Sequence, residues 1–343
     1  MKKILLRVGV ALGFLILPSL AVADSIDPAM YMDTLTVGES VTITKTVTVT
    51  REAPTDARLD VMFLTDTTGS MGGVIGAVKT AASSILTGLG GLGDVHFSVA
   101  EYKDDFDVYV TKLNTALGPS AAAATAGITS WSASGGGDFP EANLHALSTF
   151  AGSTPWRAGS TRVIVWFGDA PGHDPSSGSS LASTIAALGA EGIVVHAIDS
   201  GSLDSTGQAT AITGATGGSL TAIGAGGAGV AAAIVSAVGS TFDDYTTVSL
   251  NPVGNLPGVG VMVDPPIVGV FDRSIERTFD FDVTFTGLEE GEHHFTIEAL
   301  VDGGVVAIEE DWITVTAIPL PAAFPLYGAG MLLLGFLARR KAS

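Results

Sequence analysis

Three loops of the chain carry side-chain oxygens in positions suited to binding a divalent cation. The first and third loops each follow an apolar segment directly, and the second combines a run of glycines with two nearby acids. Carboxylates and hydroxyls are the hard oxygen donors that Mg²⁺ and Mn²⁺ prefer. We therefore predict one cation site, built from Asp66, Thr68 and Ser70 of the first loop, Asp138 and Glu141 of the second, and Asp169 of the third.

The elements that must position these loops form an alternating pattern of strands and helices. Continuous apolar strands separated by helices are typical of a doubly wound, mostly parallel α/β sheet covered by helices on both faces. In such a sheet ligands bind at the carboxyl ends of the strands, where Asp66 and Asp169 lie. The predicted strands are 58–66, 95–101, 107–113, 162–169, 193–199 and 218–223, and the predicted helices are 72–89, 141–150, 180–191, 206–215 and 229–239.

The regions on either side have the alternation of half-exposed β-strands. Val and Ile alternate with Thr and Lys over 38–52, and similar stretches recur between 245 and 316. We predict a smaller antiparallel, β-sandwich-like domain, which the N-terminal segment would complete. The predicted division is 1–23 signal peptide, 24–57 N-terminal β segment, 58–241 α/β domain, 242–316 β domain and 317–343 sorting signal.

The region from about residue 58 to residue 241 resembles the von Willebrand factor type A domain with a metal-ion-dependent adhesion site. The family's Asp-x-Ser/Thr-x-Ser element is matched by Asp66, Thr68 and Ser70, at the end of the first strand of the sheet. The resemblance implies that the two hydroxyls bind Mg²⁺ directly and that the Asp acts through water. It also implies that Asp169 is the acid of the third loop.

The second loop departs from the usual family pattern, which supplies a Thr there. Asp138-x-Pro140-Glu141 is instead similar to the integrin β-subunit version, in which the Glu reaches the metal. We predict Glu141 as the ligand, with Asp138 as the alternative. A second cation, Ca²⁺, beside Asp138, the Pro140 carbonyl and Glu141, assisted by Asp104 or Asp105, is a less favoured hypothesis. In the integrin β version an acidic pair follows the first loop and supports a regulatory Ca²⁺. Gly72 and Gly73 stand at that place here, so we do not expect this regulatory site.

Other polar residues near these loops have mostly structural interpretations. The run Lys103-Asp104-Asp105 is typical of a solvated turn. His173 is interpreted as a loop-surface residue that could contact a partner. Trp131 is interpreted mainly as a packing residue, and it is the Trp that could also touch a partner. No Lys or Arg is expected near the three loops.

Both chain ends resemble processing signals. Residues 1–23 combine a basic start, an apolar stretch and Ala21-Val22-Ala23, which is typical of a secretory signal peptide. The C-terminus resembles the VPLPA type of PEP-CTERM sorting signal, a likeness that implies an exosortase-type enzyme, transient anchoring in the inner membrane and delivery to the surface or matrix of a Gram-negative bacterium. The residues that carry it are Ile318, Pro319, Leu320, Pro321 and Ala322, then an apolar stretch, then Arg339 and Arg340.

Composition narrows the functional classes. With 16 Lys and Arg against 35 Asp and Glu, the net charge is −19. A field of that sign repels nucleic acid and attracts divalent cations. The chain has no Cys, which excludes disulfides and thiolate chemistry.

The predicted function is an exported, cation-dependent adhesion module. It would recognise a carboxylate on a protein or matrix polymer, with membrane contact only through the C-terminal segment before processing. A structural surface or matrix protein with a purely stabilising metal is the alternative. A metal-dependent hydrolase is less favoured, because neither G-x-S-x-G nor H-E-x-x-H occurs. We predict that the protein is not an enzyme.

Overall fold

The computed structural model describes residues 23–254, 256 and 258–318. The predicted signal peptide, apart from Ala23, and the sorting motif after Ile318 lie outside the described residues. The strands are β1 Ser25–Asp27, β2 Met30–Thr36, β3 Ser40–Val49, β4 Ala57–Asp66, β5 Gly93–Tyr102, β6 Thr111–Gly118, β7 Thr161–Gly168, β8 Ile193–Asp199, β9 Leu220–Ala222, β10 Asp244–Val253, β11 Val259–Val263, β12 Ile267–Asp272, β13 Arg277–Gly287, β14 Gly291–Val301 and β15 Gly304–Thr316. The helices are α1 Gly72–Gly90, α2 Ala121–Ser130, α3 Asn143–Ser153, α4 Leu181–Ala190, α5 Gln208–Thr216 and α6 Val230–Ser240.

The middle of the chain forms a six-stranded sheet in the order β6-β5-β4-β7-β8-β9. Neighbouring strands are parallel except for β6, which runs antiparallel to β5 at one edge. Alternate residues of β4 enter different cores: Val61 and Phe63 face α1, α2 and α6, whereas Met62 and Leu64 face α3, α4 and α5. The doubly wound α/β fold predicted from the continuous apolar strands is therefore confirmed.

The strand order reverses between β4 and β7. From β4 the chain proceeds to β5 and β6 on one side, and β7 then returns to pair with the other side of β4. Crevices at such a reversal open at the carboxyl ends of the strands. Asp66 and Asp169 end or follow these two neighbouring strands, so the first and third loops meet at this point.

Two predicted elements differ from the observed ones, and one observed helix was not predicted. The strand predicted at 107–113 begins only at Thr111. The residues before it form a loop in which Asp107 accepts a hydrogen bond from Gly136 N of the second, glycine-rich site loop. The helix predicted from residue 141 begins at Asn143, since Glu141 forms a β-bridge with Gly172. Helix α2 was not predicted; its Ala-rich sequence lacks a clear apolar period, and the side chain of Ser120 caps its first turn.

Two further sheets face each other as a sandwich. One has the order β1-β3-β13-β11 and is antiparallel throughout; the other has the order β12-β10-β14-β15-β2. Strand β3 pairs with β13 over its whole length, and β2 pairs with β15 in parallel. The parallel pair departs from the antiparallel expectation. Strands from before the α/β sheet and strands from after it thus share one core, which includes Val47, Phe281 and Ile313.

The segment Gly69–Gly90, which contains α1, is long and apolar enough to cross a membrane by length and composition alone. In the fold it packs against the six-stranded sheet, with Val74, Val78 and Ile85 buried. Its apolar character is therefore explained by core packing.

Candidate metal centre

The first and third loops are joined through side-chain oxygens. Asp66 is fully buried at the end of β4, and its Oδ1 accepts a hydrogen bond from the Thr68 backbone N–H at 2.7 Å. The hydroxyl oxygens of Thr68 and Ser70 lie 3.5 Å apart. Ser70 Oγ donates to Asp169 Oδ1 at 3.1 Å. Four of the predicted ligands therefore form one connected group.

The second loop is held against the first by backbone hydrogen bonds. Ser134 N donates to the Thr67 carbonyl at 3.0 Å, and Gly69 N donates to the Gly135 carbonyl at 3.1 Å. Gly136 has a φ of +88°, and a Cβ there would lie 3.0 Å from Thr68 Cβ and 3.4 Å from Glu141 Oε1. Only glycine fits this close approach without strain. The approach brings the Glu141 carboxyl beside the first loop.

Glu141 also connects the second loop to the third. Its backbone N–H donates to the Pro171 carbonyl at 2.8 Å, and its own carbonyl accepts from His173 N at 3.0 Å. Glu141 is buried, with the whole residue 3% exposed, whereas the Asp138 side chain is 62% exposed. Of the two acids of this loop, Glu141 is thus the buried one.

Two buried carboxyl oxygens in this group have no hydrogen-bond partner: Asp66 Oδ2 and Glu141 Oε2. Burying a polar atom without a partner costs roughly 1–3 kcal/mol, and more for a charge. Since two hydroxyls and a further carboxylate lie in the same group, the donor set fits a hard divalent cation. A cation bound beside these oxygens would supply the partner that the protein does not provide.

When no cation is present, burial and nearby negative charges favour the protonated forms of Asp66 and Glu141. Burial raises the pKa of Asp66 to about 7, with the charge of Asp169 adding to the shift and the Thr68 hydrogen bonds and Lys103 opposing it. Burial also raises the pKa of Glu141 to about 9, and the nearby charges of Asp66, Asp104 and Asp169 add to it. A cation bound here would have to replace those protons.

Lys103 and Asp104 are buried, so the prediction of a solvated turn at this run is wrong, as is the expectation that no Lys lies near the loops. Lys103 Nζ donates to the Thr67 carbonyl at 2.6 Å and to the Ser134 carbonyl. The residue directly follows β5, the neighbour of β4, and this position carries it under the first two loops. The sequence signal that was missed is its place at a strand end beside the other site loops.

A second acidic group forms around His173. Its Nε2 lies 3.2 Å from Asp104 Oδ1 and 3.2 Å from Asp138 Oδ1. Burial alone would raise the pKa of Asp104, but hydrogen bonds from Gly137 N, Asp105 N and His173 hold it below its usual range. Within the described part of the chain, Asp104, Asp138 and His173 form the group of three acid or His residues whose ligand atoms all lie within 4.8 Å of one another. Glu141, predicted for this second set, is not among them.

Comparison with known proteins identifies the middle of the chain. Residues 60–222 match the family model of the von Willebrand factor type A domain. These residues form a vWA domain. No curated protein matches the chain. Domains of this family are in general metal-dependent adhesion or protein-interaction modules and are typically not enzymes.

Solved structures with a similar fold share little sequence with the chain. A von Willebrand factor type A protein from Catenulispora acidiphila is 16% identical, with a TM-score of 0.46, over 89% of this chain and 77% of its own. Proximal thread matrix protein 1 from the mussel byssus, in a form described as having a zinc-occupied MIDAS motif, is 17% identical, with a TM-score of 0.43, over 58% and 48%. BatB from Bacteroides thetaiotaomicron is 15% identical, with a TM-score of 0.41, over 52% and 97%.

The vWA domain buries one of the two residues predicted to contact a partner. Trp131 is 1% exposed and packs edge-on against Phe167, with ring centroids 6.4 Å apart. The prediction that it touches a partner is therefore wrong; its position at the end of α2 turns the ring into the core. The His173 side chain is 23% exposed, at the edge of the metal centre.

Proposed function

We propose that the protein is an exported, divalent-cation-dependent binding module whose vWA domain recognises a carboxylate on a protein or matrix polymer. The observation that carries the proposal is the pair of buried, unpartnered oxygens, Asp66 Oδ2 and Glu141 Oε2. Asp66 accepts a hydrogen bond from Thr68 N, and the Glu141 carboxyl lies beside Thr68, whose hydroxyl is next to Ser70 and, through it, Asp169.

In this proposal Asp66, Thr68, Ser70, Glu141 and Asp169 hold Mg²⁺ or Mn²⁺. The cation supplies a positive charge that can attract an acidic group of the partner. The protein side chains position that charge. Because Asp66 and Glu141 are buried, they exclude water from the part of the site that faces the protein interior. Three carboxylates also neutralise more of the cation's charge than two would, which weakens its attraction for an acidic partner.

The charge of the whole chain limits the partner. At −19, the protein repels acidic surfaces in general. A partner that presents a single carboxylate among neutral or basic groups would be repelled less by this negative charge than a polyanion would. The proposal therefore includes no nucleic acid partner.

Cation titration by calorimetry tests the proposal. We expect Mg²⁺ and Mn²⁺ to bind the full chain at one saturable site that Asp66→Asn plus Asp169→Asn abolishes. Asp56→Asn plus Asp27→Asn is the matched control, because both residues are exposed, Asp56 precedes the opposite end of β4, and the pair also removes two negative charges. Absence of saturable binding to the wild-type protein would remove the metal mechanism.

A binding role and a purely structural role make different predictions for a partner. If the cation mediates adhesion, retention of envelope or matrix material on the immobilised protein should require the cation and be lost in the double variant. Retention that survives loss of the cation site would favour the structural surface or matrix role. Hydrolysis of ester substrates that depends on added cation would instead favour a metal-dependent hydrolase.

The export part of the proposal comes from the two chain ends. A signal peptide at 1–23 and a sorting signal beginning at Ile318 would route the protein through the inner membrane to an exosortase-type enzyme and then to the cell surface. Fractionation of cells expressing the full chain checks this route. We expect a mature form that lacks both ends in the outer envelope or the medium.

A further inference from the structure

A buried Lys lies between the two sheets of the sandwich, outside the vWA domain. Lys45 of β3 is fully buried, in phase along the strand with apolar neighbours such as Val47. Its Nζ contacts two acids of β15: Glu309, with which it forms an ion pair, and Asp311, whose Oδ1 lies 3.2 Å away. All three side chains are closed to solvent. The group therefore joins strands of the two opposing sheets.

The surroundings of this group exclude water and are aromatic. Tyr31 and Phe285 stack with ring centroids 5.5 Å apart, and Lys45 Nζ lies 5.9 Å from the centroid of each ring. Burying an ammonium with two carboxyl groups in such a core is costly, because the desolvation of each ion offsets much of the attraction between them. Replacement of the charges by a neutral bond would remove that cost.

The two carboxyl groups have different contacts. Asp311 Oδ1 accepts a hydrogen bond from the Tyr31 backbone N–H at 3.0 Å, while its Oδ2 has no hydrogen-bond partner. An N–H at one oxygen polarises the carbonyl and leaves the other oxygen free to depart. Glu309 instead faces the Lys45 amine and has no other polar partner for its oxygens. This arrangement provides an electrophile, a nucleophile and a group that can move protons between them.

We infer that Lys45 and Asp311 form an intramolecular amide bond, with Glu309 transferring the protons. Glu309 takes a proton from the Lys45 ammonium, and the freed amine attacks Cγ of protonated Asp311. The C–N bond forms, Glu309 returns its proton to Oδ2, and the bond between Cγ and Oδ2 breaks to release water. Glu309 then takes one of the two protons on the nitrogen, and the other stays as the amide N–H. One water is released, no redox change occurs, and the group stays neutral throughout, with Glu309 protonated at the end.

Burial and proximity favour this reaction. Holding the two groups in contact converts a bimolecular condensation into an intramolecular one. Burial raises the pKa of Glu309 to about 7 and also raises the pKa of Asp311, so both acids are more readily protonated here than in water. The core also keeps out the water that would reverse the bond.

The bond would join the beginning of the folded chain to its end. Lys45 and Asp311 are 266 positions apart, so the vWA domain lies inside the closed covalent ring. With no Cys in the chain, a disulfide cannot perform this role. A ring of this size restricts the unfolded chain strongly and prevents the two sheets from separating under load. The inference does not depend on cation binding.

Intact-mass spectrometry of the purified full chain tests the bond. We expect the wild-type protein to be lighter by one water molecule than the mass calculated between the termini found in its digest, and tandem mass spectrometry of that digest to show a branched peptide that joins Lys45 to Asp311. Glu309→Gln and Lys45→Arg should have the full mass. Lys112→Arg is the control, because Lys112 also pairs with an acid, Glu101, but is half exposed and should retain the bond.

The wild-type measurement alone can overturn the inference, even if the core variants fail to fold. A folded wild-type protein with the full sequence mass shows that the group is only a buried ion pair. A branched peptide that maps to any other pair of residues overturns the assignment to Lys45 and Asp311. Circular dichroism of the same sample establishes that the protein is folded.

Discussion

At the scale of single residues, the proposed cation site depends on the protonation of two buried acids. The Asp66 and Glu141 carboxyls are raised in pKa by burial, and Glu141 is raised further by the charge of Asp66. A carboxyl whose pKa is raised on folding stabilises the fold below its unfolded value and loses that contribution as the pH rises through the folded value. The metal-free protein should therefore lose stability from about pH 4.5 to about pH 9 through Glu141.

We predict that cation affinity increases with pH across the same range. Because protons on Asp66 and Glu141 compete with the cation, each proton displaced can add up to about tenfold in affinity for each pH unit. Calorimetry in two buffers with different ionisation heats measures the protons released at pH 7. Glu141→Gln should reduce that release, and Asp56→Asn should leave it unchanged. An affinity that is constant with pH, with no proton release, would contradict the assigned ligands.

At the scale of elements, the glycine loop determines how closely its neighbours can approach. Gly136 and Gly38 both have left-handed φ values, of +88° and +86°. A Cβ at Gly136 would press on Thr68, whereas a Cβ at Gly38 would meet nothing within 4 Å. The two positions therefore separate the backbone cost of a substitution from its effect on the site.

We predict that Gly136→Ala and Gly38→Ala each destabilise the protein by about 1–2 kcal/mol, because alanine is strained in the left-handed conformation. Only Gly136→Ala should also weaken cation binding, by roughly tenfold, since it displaces Thr68. Thermal unfolding and calorimetry of both variants measure the two effects. Equal cation affinities in the two variants would show that Thr68 is not a ligand.

At the scale of the whole molecule, the N-terminal strands close the sandwich that follows the vWA domain. The sandwich also contacts the vWA domain: Arg58 donates to Glu298 at 2.8 Å, and Val305 N donates to the Gly159 carbonyl at 3.0 Å. Asp24, just before β1, is buried and accepts two hydrogen bonds from Arg273, at 3.0 and 2.9 Å. One buried ion pair thus connects the beginning of the described chain to the loop after β12.

We predict that Asp24→Asn lowers the free energy of unfolding by roughly 3–5 kcal/mol, because it leaves the buried Arg273 guanidinium without its counter-charge. Asp27→Asn is the control, since Asp27 is exposed in β1. Denaturant unfolding of both variants measures the difference. Similar stabilities would show that the ion pair contributes little to closing the sandwich.

The placement of most side chains in the candidate metal centre was predictable from local sequence. Asp66, Thr68 and Ser70 follow an apolar strand at alternating positions, and Asp169 follows another. The carboxyl ends of neighbouring parallel strands meet, so strand assignment was enough to bring these side chains together. Most helices and strands of the vWA domain were also predictable, because their apolar periodicity reflects burial in the sheet and its covering helices. Helix α2 was missed because its Ala-rich sequence lacks a clear apolar period.

Contacts between distant segments decided the rest. Lys103 and Asp104 were predicted to be solvated from their charge, but they are buried because the second and third loops cover the end of β5. Lys45 has the apolar phase of β3, yet only the packing of the two sheets places it against Glu309 and Asp311 of β15. Periodicity along a strand indicates which side is buried, whereas the partner across the core is set by how sheets stack. Sequence by itself therefore determined most elements of the vWA domain and the side chains that meet at the ends of β4 and β7, and the tertiary structure alone decided which charged groups are buried together.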